Sequence, residues 1–445
     1  MKRLFLPAAF LCCLIASLAT RTFGLTLEAA LQTTIEKNPE IQRAKCGLEQ
    51  AVGQRLIFRA VGLPDAVIGI VAGVQGGHRA GEKSIQAFGF GYGNFLQPLF
   101  NAAVPASFRR GDVELLIAQQ RLNVEVAQQL HAARIAFYSA LYNRSLRSLR
   151  EEQRSRLEEN VVSQKARYEA GLVDRGAFTG VEVETRNQDP RVESAQRAYG
   201  DAILKLAEEM GSDLDAGATL PNPGGELVFA PIDVDLDAGT TAALERRADL
   251  KLARLVVRAA NEDQRIIEAG YYPAINATIS GELLPVSGTR RTTENSDRRT
   301  DDIASSEIRA GGAYTWHVID NGKVYGAVMK QREAREINKV ELRKLEADVP
   351  RELSRIQNNL KAIATKQSAL KEATAAAEQN ATIVQQNLAS GVASQFEFRQ
   401  VESTLLETKS ALVTLAYQQK VALAEWDRAL GRYFQFSDDS AQNVH

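Results

Sequence analysis

The sequence predicts a mainly helical chain with a small β part: long antiparallel coiled-coil helix hairpins joined to four β-strands. Three observations predict it. Ala102 to Ala170 has no proline after Pro105 and no glycine between Gly111 and Gly171, and it is rich in the strong helix formers Ala, Leu, Glu, Gln and Arg; at 1.5 Å per residue it makes a rod roughly 100 Å long. A second rod, rich in the same residues, spans Lys323 to Ser390. Upstream of each rod the apolar period changes from 3.6 to 2.

The chain opens with Lys2 and Arg3 before an apolar run from Leu4 to Leu18, then small residues that allow cleavage after Ala19 or Gly24. That is the pattern of a secretory signal peptide, assigned to residues 1–24, so the mature chain is expected to be exported. Cys12 and Cys13 fall inside it, and Cys46 remains as the one mature cysteine, which excludes a disulfide within the chain. No apolar run of membrane-helix length follows residue 25, which leaves a soluble periplasmic protein or a β-type outer-membrane protein.

Thr26 to about Gly62 reads helical, with Leu31, Ile35, Ile41, Leu48, Val52 and Ile57 near a 3.6 period and a break at Asn38-Pro39. Val67 to Val74 alternates, Gln75 to Lys83 is a glycine-rich polar turn, and Ser84 to Asn94 alternates again, predicting a β-hairpin. The first rod follows Gln97-Pro98-Leu99-Phe100, with a helix-facing seam of Leu122, Val126, Ala133, Ala136 and Ala140. It turns at Gly171 to Gly176 and returns from Phe178 to Met210, where Gly211 stops it. A connector rich in Gly, Pro and Asp follows.

The plan then restarts: helix Thr241 to Ala269, strand Ala274 to Leu284, a charged loop from Val286 to Ser306, a strand from about Ala304 to Tyr314, the second rod, a turn at Gly391, and a return helix from Glu397 to Leu430. Asn101 and Asn321, Gly171 and Gly391, Glu182 and Glu402, and Gly211 and Gly431 each lie 220 positions apart, whereas Pro64 and Pro273 lie 209 apart. The chain is a tandem duplication whose length varies only around the hairpin. Its parts are residues 25–211, a connector 212–240, a second repeat 241–431 and a tail 432–445.

In the third strand Ile275, Ala277 and Ile279 face one way and Asn276, Thr278, Ser280 and Glu282 the other. A barrel wall around water alternates in this way, and so does a soluble antiparallel sheet. Tyr92, Phe95, Phe100, Tyr271, Tyr272, Tyr314 and Trp316 fall at the helix-strand junctions, the place of a membrane-interface girdle or of ordinary core. Four strands cannot close a barrel, and an open edge cannot face lipid, so a membrane role demands an oligomer. Two copies would supply eight strands and a filled interior; three would supply twelve and a water-filled passage.

Charge is balanced, with 54 basic and 55 acidic residues, and no basic stripe asks for nucleic acid. His78, His131, His317 and His445 are scattered, without the spacing of a metal site or a nucleophilic triad. Gly89, Gly91 and Gly93 do not fit a dinucleotide fingerprint. Glu151, Glu152, Glu158 and Glu159 read as a solvated face. No enzyme and no cofactor are expected.

The chain resembles the TolC-like outer-membrane factors of tripartite efflux and type I secretion systems. The resemblance rests on Leu25-Thr26-Leu27-Glu28-Ala29-Ala30-Leu31 with Asn38-Pro39-Glu40, on Phe95-Leu96-Gln97-Pro98-Leu99-Phe100-Asn101, and on Asp249-Leu250 through Gly270-Tyr271-Tyr272-Pro273. It also rests on the tips Arg167-Tyr168-Glu169-Ala170-Gly171-Leu172-Val173 and Leu388-Ala389-Ser390-Gly391-Val392-Ala393-Ser394. It implies a homotrimer whose twelve strands form one outer-membrane β-barrel and whose helices form a periplasmic α-barrel, working with a membrane-fusion adaptor and an inner-membrane pump of RND, ABC or MFS type. It places the adaptor contact at Gly171, Leu172, Gly391 and Val392, and the periplasmic aperture at Glu397 and Gln400, with Arg175 and Arg399 beside it. Gln400 and Ala177 stand where the family often has acidic residues. Pro190 and Pro350 inside expected helices, and His317 to Gly322 after the second hairpin, also depart from the pattern. The alternative from a different class is a soluble periplasmic coiled-coil adaptor or scaffold.

Overall fold

The structure, a computed structural model, describes residues 24–77, 85–212, 220–291 and 299–433. The signal peptide with Cys12 and Cys13, the hairpin turn from His78, the loop residues Asp297 and Arg298, part of the connector, and the tail with His445 lie outside the described residues.

Helix α1 (Leu27–Lys37) ends where Asn38 begins the next: its side chain accepts from the Glu40 and Ile41 N–H groups and caps α2 (Pro39–Ala60), with Pro39 in the first turn. Strands β1 (Asp65–Gly76) and β2 (Ile85–Phe100) form the first hairpin. Asn101 Oδ1 accepts from Ala103 N–H at 2.9 Å and opens α3 (Ala103–Glu169), a 67-residue helix. The expected single return helix is in fact two, α4 (Arg175–Arg186) and α5 (Asp189–Glu209). Pro190 explains the division, because in a first turn its missing N–H removes no helical hydrogen bond.

In the second repeat the expected helix from Thr241 is also divided, into α6 (Leu236–Arg246) and α7 (Ala248–Glu268), with Arg247 extended between them. Strands β3 (Ala274–Arg291) and β4 (Arg299–Thr315) follow. They are longer than expected and take up most of the predicted Val286–Ser306 loop. Helix α8 (Lys323–Ala389) again has 67 residues and carries Pro350 in its interior, and α9 (Gln395–Ala429) completes the chain. Asp320 accounts for the unusual approach to α8: its carboxylate accepts from Gly322 N–H at 3.0 Å and Val324 N–H at 2.8 Å, while Asn321 and Gly322 turn the chain with positive φ.

The chain divides into two compact units. One holds residues up to 36, 132–230 and 365–421. In it Ala136, Phe137, Ala140 and Leu141 of α3 pack on Ala202, Ile203 and Leu206 of α5 and on Ala30 of α1. The small side chains let the helices approach closely, as the predicted alanine seam implies. The other unit holds 37–131, 231–364 and the residues from 422 on, including the sheet. There Val113 and Ile117 of α3 pack against Ala259 of α7. The sheet is antiparallel in the order β1-β2-β3-β4, so β1 and β4 are open edges.

Candidate functional site

The two tips lie in the first unit. Each long helix ends in a glycine with left-handed backbone, Gly171 at φ 70° and Gly391 at φ 81°, a conformation glycine adopts without penalty. Leu172 N–H bonds the Arg167 carbonyl at 2.9 Å, and Val392 N–H the Asn387 carbonyl at 2.8 Å. These six-residue closures satisfy helix-end carbonyls that would otherwise lack donors. Gly211 and Gly431, also 220 apart, end their helices with the same sign of φ. The turns leave Leu172 70% and Val392 79% exposed, with Phe396 beside the second at 68%.

The four expected aperture residues have distinct settings. Glu397 is engaged in a capping box: its carboxylate accepts from Ser394 N–H at 2.9 Å while Ser394 Oγ accepts from Glu397 N–H at 3.1 Å. The Arg399 guanidinium stands 3.7 Å from Glu184 of α4. Arg175, at the start of α4, and Gln400 are exposed. Asp174, next to Arg175, caps α4 by accepting from Ala177 N–H at 2.6 Å.

Sequence reasoning missed the residues that hold the tips together. Arg167 bonds the Leu388 carbonyl, Asn160 and Gln395 exchange side-chain amide hydrogen bonds at 2.9 and 3.3 Å, and Leu157, Leu388 and Phe398 form a buried cluster. Further along α9, Glu402 is buried against Arg156 at 3.0 Å. Burial pushes its carboxyl above the usual range, opposed by the Arg156 charge. The one sequence signal for Glu402 was its repetition as Glu182.

The sheet lies in the second unit, and its register sorts the side chains onto two faces. Ile68 and Ile70 stand opposite Gly93 and Gly91; Gly93 and Phe95 stand opposite Gly281 and Ile279; these in turn stand opposite Ile308 and Ala310. This face carries no charged side chain among the residues named, and Ile68 is 89% exposed, Ile70 83% and Ile308 78%. The other face carries Asn94, Thr278, Ser280, Glu282, Glu307 and Arg309. Such one-sided exposure of large apolar side chains is uncompensated for a protein surrounded by water.

The junction aromatics Phe100, Tyr271, Tyr272, Tyr314 and Trp316 are all exposed, and Trp316 Nε1 donates to the Tyr271 carbonyl at 3.2 Å. Tyr92 requires a correction. It lies in the middle of β2 on the polar face, with its ring over Gly69, instead of at a helix-strand junction. A glycine opposite leaves space that an aromatic ring covers, which the alternating pattern alone does not reveal.

Among the described residues no group of His, Cys, Asp and Glu is arranged to hold a metal ion, and no described helix is long and apolar enough to cross a membrane.

Comparison with known proteins agrees with this architecture. Residues 240–432 match the family model for outer membrane efflux protein. The outer membrane protein VceC of Vibrio cholerae is 16% identical and superposes with a TM-score of 0.71 over 91% of this chain and 96% of that one. The CmeC outer membrane channel of Campylobacter jejuni is 15% identical, with a TM-score of 0.75 over 94% and 88%. The MtrE outer membrane channel of Neisseria gonorrhoeae, in its open state, is 15% identical, with a TM-score of 0.70 over 91% and 88%. No curated protein matches the sequence. Residues 240–432 thus match the outer membrane efflux protein family model, and over about nine tenths of its length the chain has the fold of these outer membrane channels.

Proposed function

We propose that three copies of this chain form the exit duct of a tripartite efflux or type I secretion system, conducting substrates passively from an inner-membrane pump and adaptor across the periplasm and the outer membrane. One observation carries the reading: a four-stranded antiparallel sheet with an exposed apolar face and two open edges. In lipid the backbone groups of β1 and β4 need partners, and only a closed barrel supplies them all. An even strand number per copy lets β4 of one copy pair antiparallel with β1 of the next, and three copies give twelve strands around a water-filled lumen. The apolar face then meets lipid, with Phe100, Tyr271, Tyr272, Tyr314 and Trp316 at its border.

In this reading Gly171, Leu172, Gly391 and Val392 receive the adaptor, whose apolar contacts would cover Leu172 and Val392. Arg175, Glu397, Arg399 and Gln400 surround the periplasmic aperture. With Glu397 held by Ser394 and two arginines nearby, that aperture is weakly charged. The test is a transport assay with Gly171→Pro plus Gly391→Pro. The double variant is expected to assemble as a trimer and lose transport; retained transport refutes the tip assignment.

A further inference from the structure

Three aromatic rings form a ladder along the polar face of the sheet. Phe88 and Phe90 have ring centroids 6.5 Å apart with planes at 25°, and Phe90 and Tyr92 have centroids 6.3 Å apart. Their facing strand leaves room for them. Tyr92 stands opposite Gly69 and Phe88 opposite Gly73. A Cβ on Gly69 would come within 2.4 Å of the Tyr92 ring, and one on Gly73 within 3.0 Å of the Phe88 ring. The rings therefore lie along the wall instead of projecting from it, an arrangement that presents ring faces to a passing solute.

On its other side β2 pairs with β3, and there Tyr92 stands opposite Glu282. The neighbouring Glu307 carboxylate is taken up by the Arg309 guanidinium through hydrogen bonds of 2.8 and 2.7 Å. The Glu282 carboxylate has no hydrogen-bond donor among the described residues. Arg309 also feels the Glu282 charge, so Glu282, Glu307 and Arg309 together leave one net negative charge at the end of the row of ring faces. Ring faces attract planar aromatic groups and cations, and a carboxylate adds charge complementarity.

We propose that Phe88, Phe90, Tyr92 and Glu282 form a contact strip for planar aromatic cations in transit through the barrel, an inference that rests on the polar face lining the passage. The strip gives such solutes a stepwise path along the wall, each ring within reach of the next. Aliphatic cations of equal charge meet Glu282 but gain nothing from the rings.

The experiment is single-channel recording of the purified trimer in planar bilayers, with ethidium or tetraethylammonium, both monovalent cations, added on the side of the strand hairpins. Ethidium is expected to block about tenfold more tightly than tetraethylammonium. Phe88→Leu plus Phe90→Leu, which keeps apolar cover over the wall and leaves only the Tyr92 ring, should weaken ethidium block severalfold toward the tetraethylammonium level without lowering conductance. Should the double variant yield no trimer, Phe90→Leu alone, whose ring opposes Val71, is expected to weaken ethidium severalfold. Equal block by both cations in the unaltered protein, or ethidium block unchanged in the variants, overturns the proposal while leaving the duct reading intact. A trimer that conducts no ions overturns the lined passage and the proposal together.

Discussion

Arg167 Nη1 donates a 2.9 Å hydrogen bond to the carbonyl of Leu388, in the last turn of α8. That carbonyl lies at the negative end of a helix dipole, so a guanidinium is the donor it favours most. The bond ties the end of one long helix to the end of the other within the same unit.

Arg167→Ala should therefore loosen the second tip more than it destabilises the chain. The expected result is faster amide hydrogen exchange at Gly391 and Val392, with no change around Ala133 and Ala140 in the buried seam of α3. A charge-assisted hydrogen bond contributes about 1.5–3 kcal/mol. A uniform change along α3 would show that the bond is not local to the tips.

The two tip glycines should differ in tolerance. Alanine at either position pays for left-handed backbone, about 1–2 kcal/mol. At Gly171 an added Cβ meets open space, whereas at Gly391 it comes to 3.3 Å from Arg167 Nη2. Gly391→Ala should accordingly lower the melting temperature more than Gly171→Ala, and the excess should vanish in an Arg167→Ala background. An excess that persists there would assign it to something other than Arg167.

The buried Arg156–Glu402 pair predicts asymmetric mutants. Burial raises the Glu402 carboxyl in the folded state, so its favourable contribution is complete below the ordinary value of about 4.5 and is lost as pH rises through the raised value. Glu402→Gln should be neutral or stabilising at pH 7 and should flatten that part of the pH profile. Arg156→Ala leaves the buried carboxylate without its guanidinium and should cost about 3 kcal/mol. Thermal melts between pH 4 and 8 separate the two, and a strongly destabilised Glu402→Gln would contradict the reading.

Asp249 has the opposite sign. Burial works to raise its carboxyl, but the Arg247 guanidinium, bonded to it at 3.1 and 2.8 Å, overrides this and holds it below the usual range. Its contribution is present above about pH 4 and is lost as pH falls through the lowered folded value. Asp249→Asn should cost about 1 kcal/mol at pH 7, discounted because 36% of the side chain meets solvent, and the loss should shrink toward pH 3. A penalty constant from pH 7 to pH 3 would contradict this.

Much of the fold was legible because it depends on periodic spacing. The alanine seam, the two rods, the paired glycines and the break at Asn38-Pro39 are local signals repeated over many residues. The return helix and the helix after the connector were read as single pieces because their apolar period continues across Gln188 and Arg247, and the break depends on Pro190 and on an arginine bonded far along the chain to Glu352. The candidate site was legible only as a pair of turns. Arg167 reaches Leu388 and Asn160 reaches Gln395 across more than two hundred positions, and nothing in their local spacing announces it. The aromatic ladder escaped for a related reason: its register against Gly69 and Gly73 exists only once β1 and β2 are paired.

Side-chain polarity on the two sheet faces should have opposite consequences. Ile70→Asp, on the apolar face, should reduce recovery from the outer membrane sharply, since a charge facing lipid costs about 2–4 kcal/mol for a basic residue at the midplane and somewhat less for an acidic one. Thr278→Asp, on the polar face, should be recovered normally. Equal recovery in membrane fractions would contradict the assignment of faces.

The most direct test is native mass spectrometry of the mature protein extracted from outer-membrane fractions in mild detergent. A trimer is the predicted result, because four strands with open edges cannot stand in lipid alone. A monomer confined to the soluble periplasmic fraction would contradict the shared barrel and make the four strands an ordinary sheet on a coiled-coil scaffold.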